Sequence, residues 1–174
     1  INTKDALLKT PTEFGVEVDI RTNNNHLIMH HDPFEQGENF ENWLEVYKHG
    51  TLILNVKEEG LENHLIELMS KYNIDDYFFL DQSFPFLVKT SNDKEKRCAV
   101  RVSEFESIDT ALTLANRVDW IWVDCFSRFP LTSQDVIKLR EQGFKLCFVS
   151  PELQGRTERS QVIEFRREIE LQGI

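Results

Sequence analysis

The sequence predicts an α/β fold built on a mainly parallel sheet. Short apolar runs rich in β-branched and aromatic residues recur along the chain. From residue 52 onward these runs begin about every 20 to 25 residues. Most of the gaps between them carry apolar residues at helical spacing, which is the length and pattern of a crossover helix joining parallel strands.

The strand candidates are 16–21, 27–31, 52–57, 77–82, 99–102, 120–126 and 145–150. A helical segment at 39–48 is closed by Gly50. Leu61, Leu65, Leu68 and Met69 form one helical stripe, and Phe105, Ile108, Leu112 and Ala115 form another. The segment 133–142 opens with a Thr132-x-x-Asp135 start and closes at Gly143, and 160–171 is followed by Gly173. Only Thr22-Asn23-Asn24-Asn25-His26 separate the first two strands, too few residues for a crossover, so 16–21 and 27–31 form an antiparallel hairpin. A symmetric five-residue loop centred on Asn24 pairs Arg21 with Leu27, Asp19 with Met29 and Glu17 with His31. A slip of one residue brings His30 beside the carboxylates instead.

A length of 174 residues and a mass of 20.5 kDa suit a single domain, 1–174, whose core needs no disulfide or structural metal. Thirty acidic against 20 basic residues give a net charge of -10, which excludes nonspecific nucleic-acid binding. No apolar run approaches the roughly 18 residues of a membrane span. Cys98, Cys125 and Cys147 are odd in number, two of them in strongly apolar runs, and read as unpaired thiols of a reducing, cytoplasmic environment. The chain opens on Ile1, and both ends read as trimmed from a longer polypeptide.

Alternation along 16–21 puts Glu17, Asp19 and Arg21 on one face and Val16, Val18 and Ile20 on the other. The same count places Asn55 and Lys57 together. Later strands begin apolar and end polar, at Asp81, Gln82 and Ser83, at Arg101, Ser103 and Glu104, at Asp124 and Arg128, and at Ser150 and Glu152. Active sites of parallel α/β folds form at these C-terminal strand ends. Buried carboxylates need compensation, so the polar face of 16–21 looks into a solvated or metal-filled cavity.

Glu17-Val18-Asp19, then His31-Asp32-Pro33 twelve residues on, then Asn55-Val56-Lys57 and Ser83-Phe84 closing two strands, resembles the glycerophosphodiester phosphodiesterase family. More broadly the pattern is similar to the phosphatidylinositol-phosphodiesterase-like TIM barrels, including phospholipase C-like enzymes. The match runs over roughly residues 14–90 and continues as barrel strands to 151. The resemblance implies a (β/α)8 barrel whose first and last strands lie outside this chain, with the 16–31 hairpin at the barrel mouth. It implies a divalent cation, Mg²⁺ or Ca²⁺, on Glu17, Asp19 and Asn55, with His31 as acid or base and Lys57 as a catalytic cation. Two positions depart from the family pattern. Asn55 stands where the family has an acid, and the family's first catalytic histidine, in a His-Arg pair on the first strand, falls upstream of Ile1.

The implied reaction is hydrolysis of a small phosphodiester such as a glycerophosphodiester. Charge developing on the phosphoryl oxygens is met by the cation and Lys57, and an imidazole that titrates near neutrality moves the proton. Arg101, Asp81, Glu152 and Arg156 are candidate substrate contacts. Two other readings stand beside this one: a non-catalytic barrel binding a phosphorylated ligand or partner, and an aldolase-type lyase using the Lys57 amine. The sequence leaves the oligomeric state open.

Overall fold

The computed structural model describes residues 1–171, and the chain forms two compact units, Ile1–Asp93 and Lys94–Ile174. The stop expected at Gly173 lies outside the described residues.

The first unit opens with helix α1 (Lys4–Lys9), capped by the Thr3 hydroxyl, which accepts from the Ala6 amide at 3.1 Å. Strands β1 (Val16–Asn23) and β2 (His26–Met29) form the hairpin, and β3 (Glu38–Asn39) adds to its outer edge. After α2 (Phe40–Leu44) come β4 (Leu52–Val56), α3 (Glu62–Lys71), β5 (Tyr77–Leu80) and α4 (Phe84–Asn92). The sheet order is β3-β2-β1-β4-β5, with β1, β4 and β5 parallel.

Val16, Val18 and Ile20 are buried, as alternation predicts, and meet Leu52, Leu54 and Val56 from the neighbouring strand. Every residue of β5 is buried, which suits an apolar strand covered on both faces. Leu65, Leu68 and Met69 form the buried stripe of α3. A ladder of rings, Phe40, Trp43, Tyr47 and His49, steps at centroid separations of 5.9, 5.3 and 5.7 Å. The expected helix at 39–48 is regular only over α2, because Val46 and Tyr47 donate three residues back and tighten the end of the turn. Helices α1 and α4 and the two-residue β3 have no counterpart among the sequence expectations.

The second unit repeats β/α order: β6 (Ala99–Val102), α5 (Ile108–Leu112), β7 (Trp120–Val123), α6 (Ser133–Glu141), β8 (Lys145–Phe148), a 3-10 turn (Pro151–Gln154) and α7 (Arg159–Leu171). Its three strands are parallel in the order β6-β7-β8. Thr132 and Asp135 form the reciprocal capping box, and Gly143 takes φ +84° after the helix. Ser107 caps α5 and moves its start inside the expected 105–115 segment. Trp120 and Trp122 are half-buried, whereas Ile121 and Val123 fill the core. Burial pushes the thiols of Cys125 and Cys147 up, to about 12 and about 11, so both stay protonated and unreactive.

The strands of the described residues lie in two sheets, of five and three strands, and the α/β order is as expected while a full (β/α)8 barrel is not formed by these strands. The expected hairpin is present: a link too short for a crossover makes β2 antiparallel, and β2 and β3 extend the β1 edge.

One carboxylate organises the loop after β7. Glu104 Oε1 accepts from the amides of Ser127 and Arg128 at 2.6 and 2.7 Å and from the Ser127 hydroxyl at 2.9 Å, and Oε2 accepts from the Phe126 amide at 3.2 Å. Burial raises its pKa, but these donors outweigh it and hold the carboxyl at about 2.

Two stability predictions result. Gly15→Ala places a Cβ 2.6 Å from the Thr51 carbonyl oxygen, a backbone atom that cannot swing away. It should cost about 1–3 kcal/mol, read from the urea midpoint. A carboxyl whose folded pKa is depressed stabilises above its unfolded pKa and loses that contribution as pH falls through the folded value. Wild type should therefore lose stability as pH falls from the ordinary glutamate value of 4.5 to about 2, and Glu104→Gln should flatten that part of the profile. Identical profiles for the two proteins would assign the acid sensitivity elsewhere.

Candidate active site

The site of the first unit is built where β1, β4 and β5 end. Parallel pairing sets Asp19 opposite Asn55, and the Lys57 amide continues the ladder by donating to the Ile20 carbonyl at 3.0 Å. Asp81 directly follows β5 with φ +60°, a left-handed conformation that few residues other than glycine adopt and for which Asn and Asp are enriched.

Lys57 Nζ lies 3.2 Å from Asp19 Oδ1 and 3.6 Å from Asp81 Oδ2, with side-chain exposures of 15, 9 and 25 %. The other Asp19 oxygen accepts from Asn2 Nδ2 at 2.7 Å, and the Asp19 amide donates to Asn2 Oδ1 at 2.9 Å. Asn55 Nδ2 donates to Glu17 Oε1 at 2.8 Å, while Asn55 Oδ1 is buried with no hydrogen-bond partner. Burial first, and the Asp19 charge second, raise the Glu17 carboxyl, against the Asn55 hydrogen bond and the Lys57 charge. Four of the residues singled out from the sequence thus touch one another in pairs, Glu17 with Asn55 and Asp19 with Lys57, and Asp81 joins through the lysine. Asn2 escaped sequence reasoning, because a lone asparagine 17 residues from its partner leaves no periodic signal.

The histidines are placed differently from expectation. The observed register pairs Ile20 with Met29, Arg21 with Ile28, Thr22 with Leu27 and Asn23 with His26, one residue from the symmetric five-residue loop. Asn24 and Asn25 both take left-handed φ, +49° and +64°, so the turn closes in two residues. The His30 amide accordingly donates to the Asp19 carbonyl at 3.1 Å. The His31 side chain is 70 % exposed, and its Nδ1 is 2.8 Å from Asp32 Oδ1, a bond that holds the Asp32 carboxyl below its usual range.

Two side chains of β1 fasten this hairpin. Arg21 donates through Nε and Nη2 to the His31 carbonyl at 3.1 and 2.9 Å and through Nη1 to the Lys57 carbonyl at 3.4 Å. Thr22 donates through its amide and hydroxyl to the two Glu58 carboxylate oxygens, at 3.0 and 2.6 Å.

The remaining candidates belong to the second unit. Arg101 Nη1 is 3.2 Å from Oδ2 of the buried Asp124, whose Oδ1 accepts from Gln154 Nε2 at 2.5 Å. Glu152 accepts a short hydrogen bond from the Ser150 hydroxyl. Arg156 Nη1 donates to the Cys125 carbonyl at 3.0 Å, and the residue lines a cavity of about 300 Å³ with Cys125, Ser127, Arg128, Phe129 and Phe165. Gln154 and the loop-ordering Glu104 were not foreseen as partners, since both act across 22 or more residues.

Among the described residues, no three or more His, Cys, Asp or Glu side chains form a metal-holding group. The oxygen set at the strand ends is two carboxylates and one amide. Among the described residues, no helix is long and apolar enough to cross a membrane.

No family model and no curated protein matches the chain by sequence. Solved structures do match by fold. A protein of Agrobacterium tumefaciens provisionally named a glycerophosphoryl diester phosphodiesterase superposes with a TM-score of 0.67 at 12 % identity, covering 92 % of this chain and 80 % of that one. A protein of Galdieria sulphuraria provisionally named a glycerophosphodiester phosphodiesterase gives 0.64 at 12 % identity, covering 91 % of this chain and 79 % of that one. The chain therefore shares its α/β fold with these two proteins.

Proposed function

We propose that this chain is a metal-dependent phosphodiesterase acting on a small phosphodiester such as a glycerophosphodiester. The observation that carries the reading is Lys57, held between Asp19 and Asp81 beside the Glu17–Asn55 pair at three parallel strand ends. The fold shared with the Agrobacterium and Galdieria proteins supports it. In this reading β1 and β4 to β8 are six successive strands of a (β/α)8 barrel. The odd number of cysteines, with Cys98 and Cys125 buried in the apolar core, motivates a cytoplasmic, reducing location.

Glu17, Asp19 and Asn55 are the groups that would hold Mg²⁺ or Ca²⁺. The fit rests on their hard oxygens and on Asn55 Oδ1, a buried acceptor without a partner. When bound, the cation supplies Lewis-acid stabilisation of charge on the phosphoryl oxygens. Lys57 adds a fixed positive charge that costs no reorganisation when the phosphorus is attacked, and Asp19 and Asp81 aim it. His31 moves the proton between the attacking hydroxyl or water and the leaving alcohol. Its Nδ1 is engaged by Asp32, which leaves Nε2 for that exchange. Asp81, Arg101, Glu152 and Arg156 are the proposed substrate contacts. Arg101 and Arg156 are braced by Asp124 and by the Cys125 carbonyl.

Asn55 in place of an acid favours one second reading, a folded barrel that binds a phosphorylated ligand without turning it over. Hydrolysis of an aryl phosphodiester and a glycerophosphodiester panel separates the two. Chelator should abolish turnover, and Glu17→Ala should lower kcat/KM about 10²-fold or more with folding retained. Turnover indifferent to both would end the metal reading, and ligand binding without turnover would favour the second.

The register of the hairpin gives a second comparison. His31→Ala should lower kcat by about 10²- to 10⁴-fold and His30→Ala by much less. The opposite order would transfer the proton-moving role to His30.

A further inference from the structure

We infer that Arg21 is a positioning residue that sets His31 and Lys57 relative to one another. The inference rests on the functional reading above, in which these two residues move the proton and stabilise charge. It starts from a gap in the sheet. The β1–β2 ladder ends at the Ile20–Met29 pair, and the His30 amide makes one further bond to Asp19. From His31 the chain leaves the sheet, so strand pairing does not fix that residue. Regular β4 ends at Val56, one residue before Lys57.

The Arg21 guanidinium ties the unpaired His31 backbone to the end of β4, where the Lys57 amide already holds the Ile20 carbonyl. Two of its nitrogens share the His31 carbonyl oxygen, at 3.1 and 2.9 Å, and the third reaches the Lys57 carbonyl at 3.4 Å. The partners lie 10 and 36 residues away in sequence, so one side chain on β1 joins two separate segments. A planar cation with donors pointing in two directions can do this, and a lysine ammonium on a flexible stem cannot reproduce the fork. Both acceptors are neutral carbonyls, so the charge is not cancelled by an ion pair in these contacts. Arg21 touches main-chain atoms of His31 and Lys57 in these bonds, and so acts through them rather than on a substrate.

Misplacing a proton-transfer group by about 1 Å costs on the order of 10²-fold in rate. Arg21→Lys and Arg21→Gln should therefore lower kcat by about 10- to 10²-fold, with a much smaller change in KM. Free guanidinium ion should recover part of the activity of Arg21→Ala. Arg21→Lys keeps the charge and the aliphatic stem, so it remains informative if the alanine variant does not fold. A second readout is independent of turnover. Amide hydrogen exchange should quicken over residues 30–34 in the variants while α3 keeps its protection.

Quickened exchange confined to 30–34, together with a kcat loss, supports the inference. Unchanged kcat and unchanged exchange overturn it. So does a uniform loss of stability with kcat intact, which is the mark of a merely structural arginine. A wild type that hydrolyses no phosphodiester refutes the functional reading. Exchange over 30–34 then still decides whether Arg21 holds the loop.

Discussion

Two acids and a lysine are packed together where three parallel strands end, and their mutual compensation is the condition on which the rest of the first unit depends. Asp19 is 6 % exposed, and the Lys57 side chain is 15 % exposed. Left alone, either charge would carry a desolvation cost of several kcal/mol. Pairing at 3.2 Å, with the Asn2 amide on the second carboxylate oxygen, offsets that cost. The apolar side chains of β1 can then enter the core without drawing an unpaired carboxylate in with them. Asn55 serves the same end on the other side, since its amide group donates to Glu17 where a third acid would repel it.

The hairpin shows how one local choice reaches the site. Two consecutive left-handed asparagines close the turn in two residues and set the register of β2 against β1. That register brings the His30 backbone to Asp19 and releases His31 beyond the sheet. The protein answers with side chains instead of strand pairing: Arg21 takes the His31 and Lys57 carbonyls, and Thr22 takes Glu58. The second unit solves a similar problem with acceptors. Asp124 receives Arg101 and Gln154, and Glu104 gathers three backbone amides of the loop after β7. Polar residues at strand ends cannot be held by ladder bonds alone, because the ladder stops there.

The sequence by itself determined which segments are strands, because period-two burial and crossover length are local properties. All seven predicted runs overlap a strand of the structure, only the two-residue β3 lying outside them, and the Thr132–Asp135 box and Gly143 act as read. Strand alternation also determined that Glu17 and Asp19 share a face of their strand, and Asn55 and Lys57 a face of theirs; the parallel register that makes these one face of the sheet came with the fold. Tertiary structure decided the rest. The two-residue β3, added outside the predicted hairpin, and the division of the strands into sheets of five and three emerged only in the folded chain. The turn length, and with it which histidine faces Asp19, depended on backbone dihedrals that three consecutive asparagines leave open. The partners of Asp19, Glu104 and Asp124 come from residues 17 to 38 positions away, at distances along the chain that carry no period. Burial compels each of those carboxylates to find a donor, but only the folded chain brings a particular donor within reach.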